Sequence, residues 1–391
     1  MIARLLQDSE AKDAARAACS ERDVDEVLAR VAWNVLAEPG DGVAGALIAE
    51  LGPVEALRVA TDADAVLVPP VTPPRALQEA IERWRPRASP QAVLDALHGA
   101  EAVRARLVLP GGALWPAAMD DLDVHAPTML WVRGDAGLLS AEPRVAIVGA
   151  RASSGYGDLL AAEFAGDLAG SGAVVISGGA YGIDGAAHRA ALGVGGATVA
   201  LLAGGVDRAY PQGHQSLLRE IAVKGAVVSE VPCGTAPTKW RFLSRNRLIA
   251  ALGQATVVVE AGWRSGSINT AGHAASLGRP LGAVPGPVTS ATSSGCHRLL
   301  RDYDARCVTT TAEIRELWET TVGMPQGDAA ADPEQVRLRD ALSTRTAVPA
   351  QELARRSGLS VTRVEALLGL LELEGAVARS GAGWRRSVGA A

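Results

Sequence analysis

The middle of the chain alternates between short apolar runs and longer segments of helical composition. The apolar runs are rich in β-branched residues and end abruptly in glycine or a polar residue, as 144–148 does before Gly149. Apolar strands that alternate with helices predict a parallel sheet with helices on both faces. The predicted strands are 144–148, 173–177, 197–202, 226–229, 255–260 and 281–285, with a weaker one near 306–309. The predicted helices are 157–171, 184–192, 212–223, 241–252 and 267–277.

The first part of the chain has the periodicity of helices. Val24, Val27, Leu28 and Val31 recur at helical spacing, and this pattern predicts amphipathic helices. The run Leu51-Gly-Pro is typical of a turn between two helices. We therefore predict a small helical module of the SAM or helix-hairpin type over residues 1–106, followed by an α/β domain over 107–320.

The last part of the chain predicts a separate small domain. A stretch with proline, glycine and small residues at 321–333 is typical of a linker. Residues 334–391 then show three helical segments, a glycine turn before the third, and a strand–turn–strand. This order is typical of a winged helix. The predicted fold class is thus α/β, an extended Rossmann-like parallel sheet with an N-terminal helical module and a C-terminal winged helix.

Cysteine usage and hydropathy exclude several classes of protein. The four cysteines are scattered and form no C-x-x-C pair, so neither a disulfide framework nor a metal site is predicted. No apolar run approaches the length that spans a membrane, and the N-terminus is not signal-like. The sequence predicts a cytoplasmic protein without a membrane partner.

Charge is unevenly distributed along the chain. The net charge is −5, but residues 1–143 carry 13 basic and 22 acidic side chains, whereas 144–311 carry 15 and 10. This asymmetry predicts that an anionic ligand binds the α/β region.

The residues after the first two strands predict a phosphate site rather than a dinucleotide site. The spacing G-x-G-x-x-G is absent after 144–148, and no acidic residue follows the second strand to hold a ribose hydroxyl. No P-loop motif occurs either. Instead, Arg151, Ser153 and Ser154 offer a cation and two hydroxyls where a helix begins, which suits a phosphate.

Two later segments strengthen this interpretation. Lys239, Arg241, Arg245 and Arg247 are interleaved with aromatic residues, a combination that suits a phosphodiester chain with unstacked bases. A helix with a solvated basic face would give the same pattern, so that alternative stays open for this segment alone. After the fifth strand, the small-residue loop 260–270 opens a helix and again suits an anion.

Taken together, these motifs resemble the DNA-processing protein A (DprA/Smf) family over about residues 107–310. The resemblance implies an extended Rossmann fold that binds single-stranded DNA, requires no cofactor and catalyses no reaction. It also implies homodimers and the loading of the RecA recombinase onto the strand in natural transformation or recombination. The motifs that carry it are Gly149-Ala-Arg, Ser177-Gly-Gly-Ala-Tyr-Gly-Ile-Asp, Gly204-Gly-Val-Asp, Ser244-Arg-Asn-Arg-Leu-Ile, Ser265-Gly-Ser-Ile-Asn-Thr and Val284-Pro-Gly.

The resemblance also implies the site residues, to which the basic segment adds Lys239. Asp184 and His188 match the family as well, and their i, i+4 spacing predicts a structural hydrogen bond rather than a catalytic pair. The predicted DNA-binding residues are Arg151, Ser154, Gly178, Gly179, Lys239, Arg245, Asn246, Arg247, Ser265, Gly266, Ser267 and Thr270.

Two other functions stay open. A Rossmann-like phosphoribohydrolase acting on nucleoside monophosphates would need an acidic residue three positions after Thr270, where His273 stands. A transcriptional regulator would need a winged helix that reads duplex DNA. The third helix of that domain is acidic in part, so a protein-interaction role for the winged helix is an equal alternative.

Overall fold

The computed structural model describes residues 5–62, 74–319, 333–343, 346–373, 376–381 and 383–387. The chain divides into two compact units, Met1–Glu319 and Thr320–Ala391. Within the described residues, no helix combines the length and hydropathy needed to cross a membrane. Most of the predicted linker 321–333 lies outside the described residues.

A nine-stranded sheet forms the centre of the first unit, in the order β1-β2-β6-β5-β4-β3-β7-β8-β9. The strands from β3 onward pair in parallel, while β1 and β2 add an antiparallel edge beside β6. The parallel sheet predicted from the sequence is therefore confirmed. The strands are Arg106–Val108 (β1), Leu130–Gly134 (β2), Arg144–Val148 (β3), Val174–Ser177 (β4), Thr198–Leu202 (β5), Ala226–Ser229 (β6), Ala255–Val258 (β7), Leu281–Ala283 (β8) and Arg306–Cys307 (β9).

The sheet has its topological switch point at β3. The chain builds the sheet in one direction from β3 through β4, β5 and β6, and then returns to the other side of β3 with β7. The central strands are fully buried, as their continuous apolar runs predict. In such sheets the loops at the carboxyl ends of the strands beside the switch point splay apart and leave a crevice.

Helices cover both faces of this sheet. Those that follow the sheet strands begin at the carboxyl edge, because each follows a parallel strand and runs back across the sheet. They are Gly155–Gly170 (α6), Ile183–Gly193 (α7), Gln215–Lys224 (α8), Lys239–Leu252 (α9), Gly266–Ser276 (α10), Ser294–Asp302 (α11) and Thr311–Glu319 (α12).

The N-terminal helices share a hydrophobic core with one face of the sheet. That core joins Trp33 and Leu57 of the helices to Trp131 of β2 and Leu202 of β5. A buried hydrogen bond from Trp131 Nε1 to Asn34 Oδ1, at 2.8 Å, fixes the contact. The predicted boundary between residues 106 and 107 stays a prediction. The helices are Ser9–Ala18 (α1), Val24–Leu36 (α2), Gly42–Thr61 (α3), Pro74–Trp84 (α4) and Pro90–Ala102 (α5).

The second unit contains the winged helix. Its helices α13, α14 and α15 enclose a core that includes Leu338, Leu353 and Leu367. Gly358, with φ of 72°, ends α14 in the left-handed conformation that the predicted turn requires. The elements are Pro333–Ala341 (α13), Ala350–Ser357 (α14), Val361–Leu373 (α15), and the antiparallel hairpin Val377–Ser380 (β10) and Gly383–Arg386 (β11).

Candidate nucleic-acid interface

A crevice of about 820 Å³ lies at the carboxyl edge of the sheet. Its walls come from the loops after β3 and β7, the first turns of α9 and α10, and part of the loop after β5. This is the place that the switch point at β3 predicts. The residues that line it include eight of the predicted set: Arg151, Lys239, Arg245, Asn246, Ser265, Gly266, Ser267 and Thr270.

Arg151 is an exposed cation on the wall of the crevice. Its guanidinium lies over the ring of Phe242, 4.6 Å from the ring centroid. No acidic side chain pairs with it among the described residues. The stack on Phe242 holds the guanidinium in place by a cation–π contact and leaves its N–H groups available to an anion.

Lys239 and Arg264 add two more exposed cations to the lining. Lys239 is the first residue of α9, which Thr238 caps, and Arg264 precedes Ser265, the cap of α10. In the described part of the chain, neither forms an ion pair with an acidic side chain. Because two helix N-termini carry partial positive charge beside these side chains, this rim of the crevice attracts anions.

The first turn of α10 provides hydroxyl groups. Ser265 Oγ lies 2.8 Å from Ser267 Oγ and also accepts from the Ser267 backbone N–H. Ser267 and Thr270 are almost fully buried at 5% and 2% exposure, whereas Gly266, which precedes them, is exposed. The small residues thus let a ligand approach the start of the helix closely.

Ser154 forms hydrogen bonds with the carboxylate of Glu260. Its backbone N–H and its hydroxyl donate to the two carboxylate oxygens of Glu260, at 2.8 and 2.7 Å. Thr292 donates to the same carboxylate at 2.6 Å. A buried internal carboxylate therefore already occupies the N-terminus of α6, so Ser154 positions the loop that carries Arg151. The sequence identified Glu260 only as the start of a loop.

Arg245 lines the crevice but is almost fully buried and bonded to the protein itself. It is 5% exposed, and its Nη1 donates to the carbonyl oxygens of Gly178, at 2.8 Å, and Leu201. A side chain on Gly178 would overlap this guanidinium. Burial lowers the pKa of Arg245 to about 10, against the opposing effect of Asp184. Arg245 therefore joins the ends of β4 and β5.

Gly179 and Asn246 also have structural partners. Gly179 has φ of +67°, which a glycine adopts without strain, and its carbonyl accepts from His214 at 3.1 Å. Asn246 donates to Gly266 O at 3.3 Å and to Asn269 Oδ1 at 3.2 Å. It thus fixes the start of α10 from the side of α9.

The structure does not place Arg247 among the residues that line the crevice. Its guanidinium forms two hydrogen bonds with Glu230, at 2.7 and 2.5 Å, and both side chains are less than 10% exposed. It also donates to the carbonyl oxygens of His125, at 3.0 Å, and Ser244, at 3.0 Å. Arg247 connects α9 to the loop after β6 and to the segment before β2.

Arg241 is paired in the same way. It holds both carboxylate oxygens of Glu38 at 2.9 Å. Of the four cations in this basic segment, only Lys239 is exposed to solvent without a carboxylate partner in the described part of the chain. The alternative of a helix with a solvated basic face therefore does not describe α9.

Asp184 and His188 have different partners. Asp184 Oδ2 accepts from the backbone N–H groups of Gly178, at 3.1 Å, and Ala180, at 3.4 Å. His188 Nδ1 pairs with Thr198 Oγ1 at 2.8 Å. The predicted hydrogen bond between Asp184 and His188 is therefore wrong, because each side chain bonds to another residue.

The comparisons with known proteins agree with this geometry. Residues 106–319 match the family described as DNA recombination-mediator protein A. The chain belongs to this family. Residues 323–383 match the DprA winged helix domain, which confirms the predicted winged helix. Membership gives the protein a role in DNA processing and recombination.

Relatives cover most of the chain. It is 42% identical to a DNA processing protein DprA of Mycobacterium tuberculosis, over 92% of this chain and 97% of the relative. It is 36% identical to protein Smf of Escherichia coli, over 66% of this chain and 72% of the relative. The X-ray structure of DNA processing protein A from Streptococcus pneumoniae superposes with a TM-score of 0.57 and 26% identity, covering 74% of this chain and 96% of that one.

Proposed function

We propose that the protein binds single-stranded DNA in the crevice at the carboxyl edge of the sheet. The observation that carries this proposal is the set of exposed cations Arg151, Lys239 and Arg264, which have no acidic partner among the described residues. They line one crevice together with the N-termini of two helices. Such an arrangement suits successive phosphates of one strand.

We further propose a division of roles within the predicted site. Arg151, Lys239 and the first turn of α10 contact the strand. Arg245, Asn246 and Arg247 support the walls, because each is buried and bonded to the protein itself. Gly178 leaves the space into which Arg245 packs, and Gly179 supplies the positive φ of the turn after β4.

Family membership supports the wider role. We infer that the protein acts in the cytoplasm as a homodimer without catalysing a reaction. We also infer that it loads the RecA recombinase onto the bound strand in recombination or natural transformation. The lag before RecA filaments form on single-stranded DNA should shorten when the protein is added, and an unchanged lag would contradict this role.

The binding proposal is tested with the Arg151→Ala/Lys239→Ala double variant. Anisotropy of a labelled oligothymidylate, measured over a range of salt concentrations, gives the affinity and its salt dependence. Each lost phosphate contact should reduce the slope of log K against log salt by about 0.7, so about 1.4 in total. Arg219→Ala is the matched control, since Arg219 is an exposed cation on α8 outside the crevice.

Two results would contradict the proposal. Wild-type affinity in the double variant would show that the strand binds elsewhere. Equal affinity of the wild-type protein for single-stranded and duplex DNA would show that the crevice does not select unpaired strands. Release of free base from nucleoside monophosphates would instead favour the phosphoribohydrolase alternative.

A further inference from the structure

Trp263 is an exposed aromatic residue beside the crevice. Its side chain is 53% exposed, although tryptophan is usually among the well-buried residues. Its neighbours Gly262 and Arg264 line the crevice. From the sequence, the loop 260–270 is predicted only as an anion site, and Trp263 has no predicted role.

The loop that carries Trp263 is fixed at both ends. Ser265 N donates to Gly262 O at 3.0 Å, which closes a tight turn around Trp263. Gly295 at the start of α11 donates its N–H to Ala261 O at 2.7 Å. A side chain on Gly295 would overlap Ala261 and Gly262, so the loop lies directly against α11. The indole is thus presented on a rigid backbone rather than on a flexible loop.

A cation holds the indole ring in place. The guanidinium of Arg298, on α11, lies over the ring at 5.1 Å from its centroid, and also 5.6 Å from the ring centroid of Tyr303. The carboxylate of Asp302 is 3.7 Å from Arg298 Nε. Because the ring is already ordered, a partner that stacks on it pays less conformational entropy.

The charges around Trp263 select the chemistry of that partner. Arg264 follows Trp263 in the sequence and is exposed, and the guanidinium of Arg298 lies over the ring, so the apolar indole has two cations near it. A flat ring attached to a phosphate fits both features, because the ring can stack on the indole and the cations attract the phosphate.

We infer that Trp263 is a stacking platform for a nucleobase of the strand that leaves the crevice past Arg264. This inference rests on the proposed binding of single-stranded DNA. It extends the binding path from the crevice toward α11 and adds a contact to the bases, whereas the cations contact the backbone.

The test separates stacking from charge by using two ligands with the same phosphates. Affinity is measured for an oligothymidylate and for a fully abasic strand of equal length, with the full chain. Trp263→Ala should weaken binding of the oligothymidylate by roughly 5- to 150-fold, the range that base–aromatic stacking spans. It should leave both the affinity for the abasic strand and the salt slope unchanged, because no charge is removed.

Two further variants control the result. Trp263→Phe keeps an aromatic face and should restore most of the lost affinity. Val223→Ala removes an exposed apolar side chain, 83% exposed, near the end of α8 and away from the carboxyl edge of the sheet, and should change nothing.

Each outcome decides the inference. Equal affinity of wild type and Trp263→Ala for the oligothymidylate would overturn it while leaving the crevice proposal intact, whereas absent binding by the wild type would overturn both. A loss of equal size on the abasic strand, with a changed sedimentation coefficient, would show instead that a second copy of the chain covers Trp263.

Discussion

Replacing Arg247 by alanine distinguishes a supporting role from a DNA contact. The guanidinium and the carboxylate of Glu230 are only 7% and 8% exposed. Alanine would leave that carboxylate buried without its cation, and two backbone carbonyls, of His125 and Ser244, without a donor. The perturbation therefore acts on the junction of α9 with the loop after β6.

The size of the effect follows from this burial. Breaking a buried ion pair by removing one partner costs about 3–5 kcal/mol, because the remaining charge is uncompensated. We expect the free energy of unfolding of the first unit to fall by about this amount. Loss of one exposed cation, as in Arg219→Ala, should change it by less than about 0.5 kcal/mol.

Urea denaturation of the full chain, monitored by circular dichroism, measures this difference in the free energy of unfolding as a shift of the transition midpoint. In the double variant Arg247→Met/Glu230→Met, most of the stability should return, because apolar residues of similar volume replace both charges. This second variant keeps the test decisive if Arg247→Ala does not fold. The reasoning is refuted if Arg247→Ala is as stable as wild type and its DNA binding loses about 0.7 of the salt slope.

Two further predictions concern stability and the loop that carries Arg151. Burial, reinforced by nearby cationic groups, lowers the pKa of His188 to about 3. The unfolded chain therefore binds the proton first as pH falls below about 6.5, and stability should drop by up to about 1.4 kcal/mol per pH unit from there toward pH 3. His188→Gln should flatten this part of the dependence of the urea midpoint on pH, and an unchanged slope would contradict the assignment. Gly182→Ala should lower the melting temperature and weaken DNA binding, because Gly182 has φ of +71° and a methyl group there would overlap the carbonyls of Ala150 and Arg151. Gly193→Ala is the control that should retain both properties, because Gly193 is the last residue of α7, the helix that Gly182 precedes, and a methyl group there meets nothing within 4 Å.

The strands could be predicted because each leaves a local signal. The run 145–148 is apolar at every position, and a short apolar run that ends at glycine is typical of a strand buried on both faces. The alternation of strands and helices predicts a parallel sheet with its ligand at the carboxyl edge. The switch point at β3 could not be predicted, because it depends on the order of the strands in the sheet. The helices agree with their predicted ranges to within a few residues for the same reason.

The roles of individual cations could not be predicted, because they depend on partners far away in the sequence. Arg245 and Arg247 are two positions apart in the motif, and side chains two positions apart on a helix point about 200° apart. One therefore contacts the ends of β4 and β5, and the other contacts Glu230. Likewise, the Glu260 carboxylate accepts a hydrogen bond from Ser154, which lies 106 residues away in the sequence. No local sequence pattern predicts this pairing.

The shared core of the N-terminal helices and the sheet has a consequence for synthesis of the chain. The helices leave the ribosome first, but their core partners extend to Val227 of β6. About 120 residues must follow Ala105 before that strand emerges, which takes roughly 6–25 s at about 5–20 residues per second. During this interval the apolar faces of the helices have no sheet to cover them. The nascent chain should therefore depend on a chaperone that shields these faces until β6 has emerged.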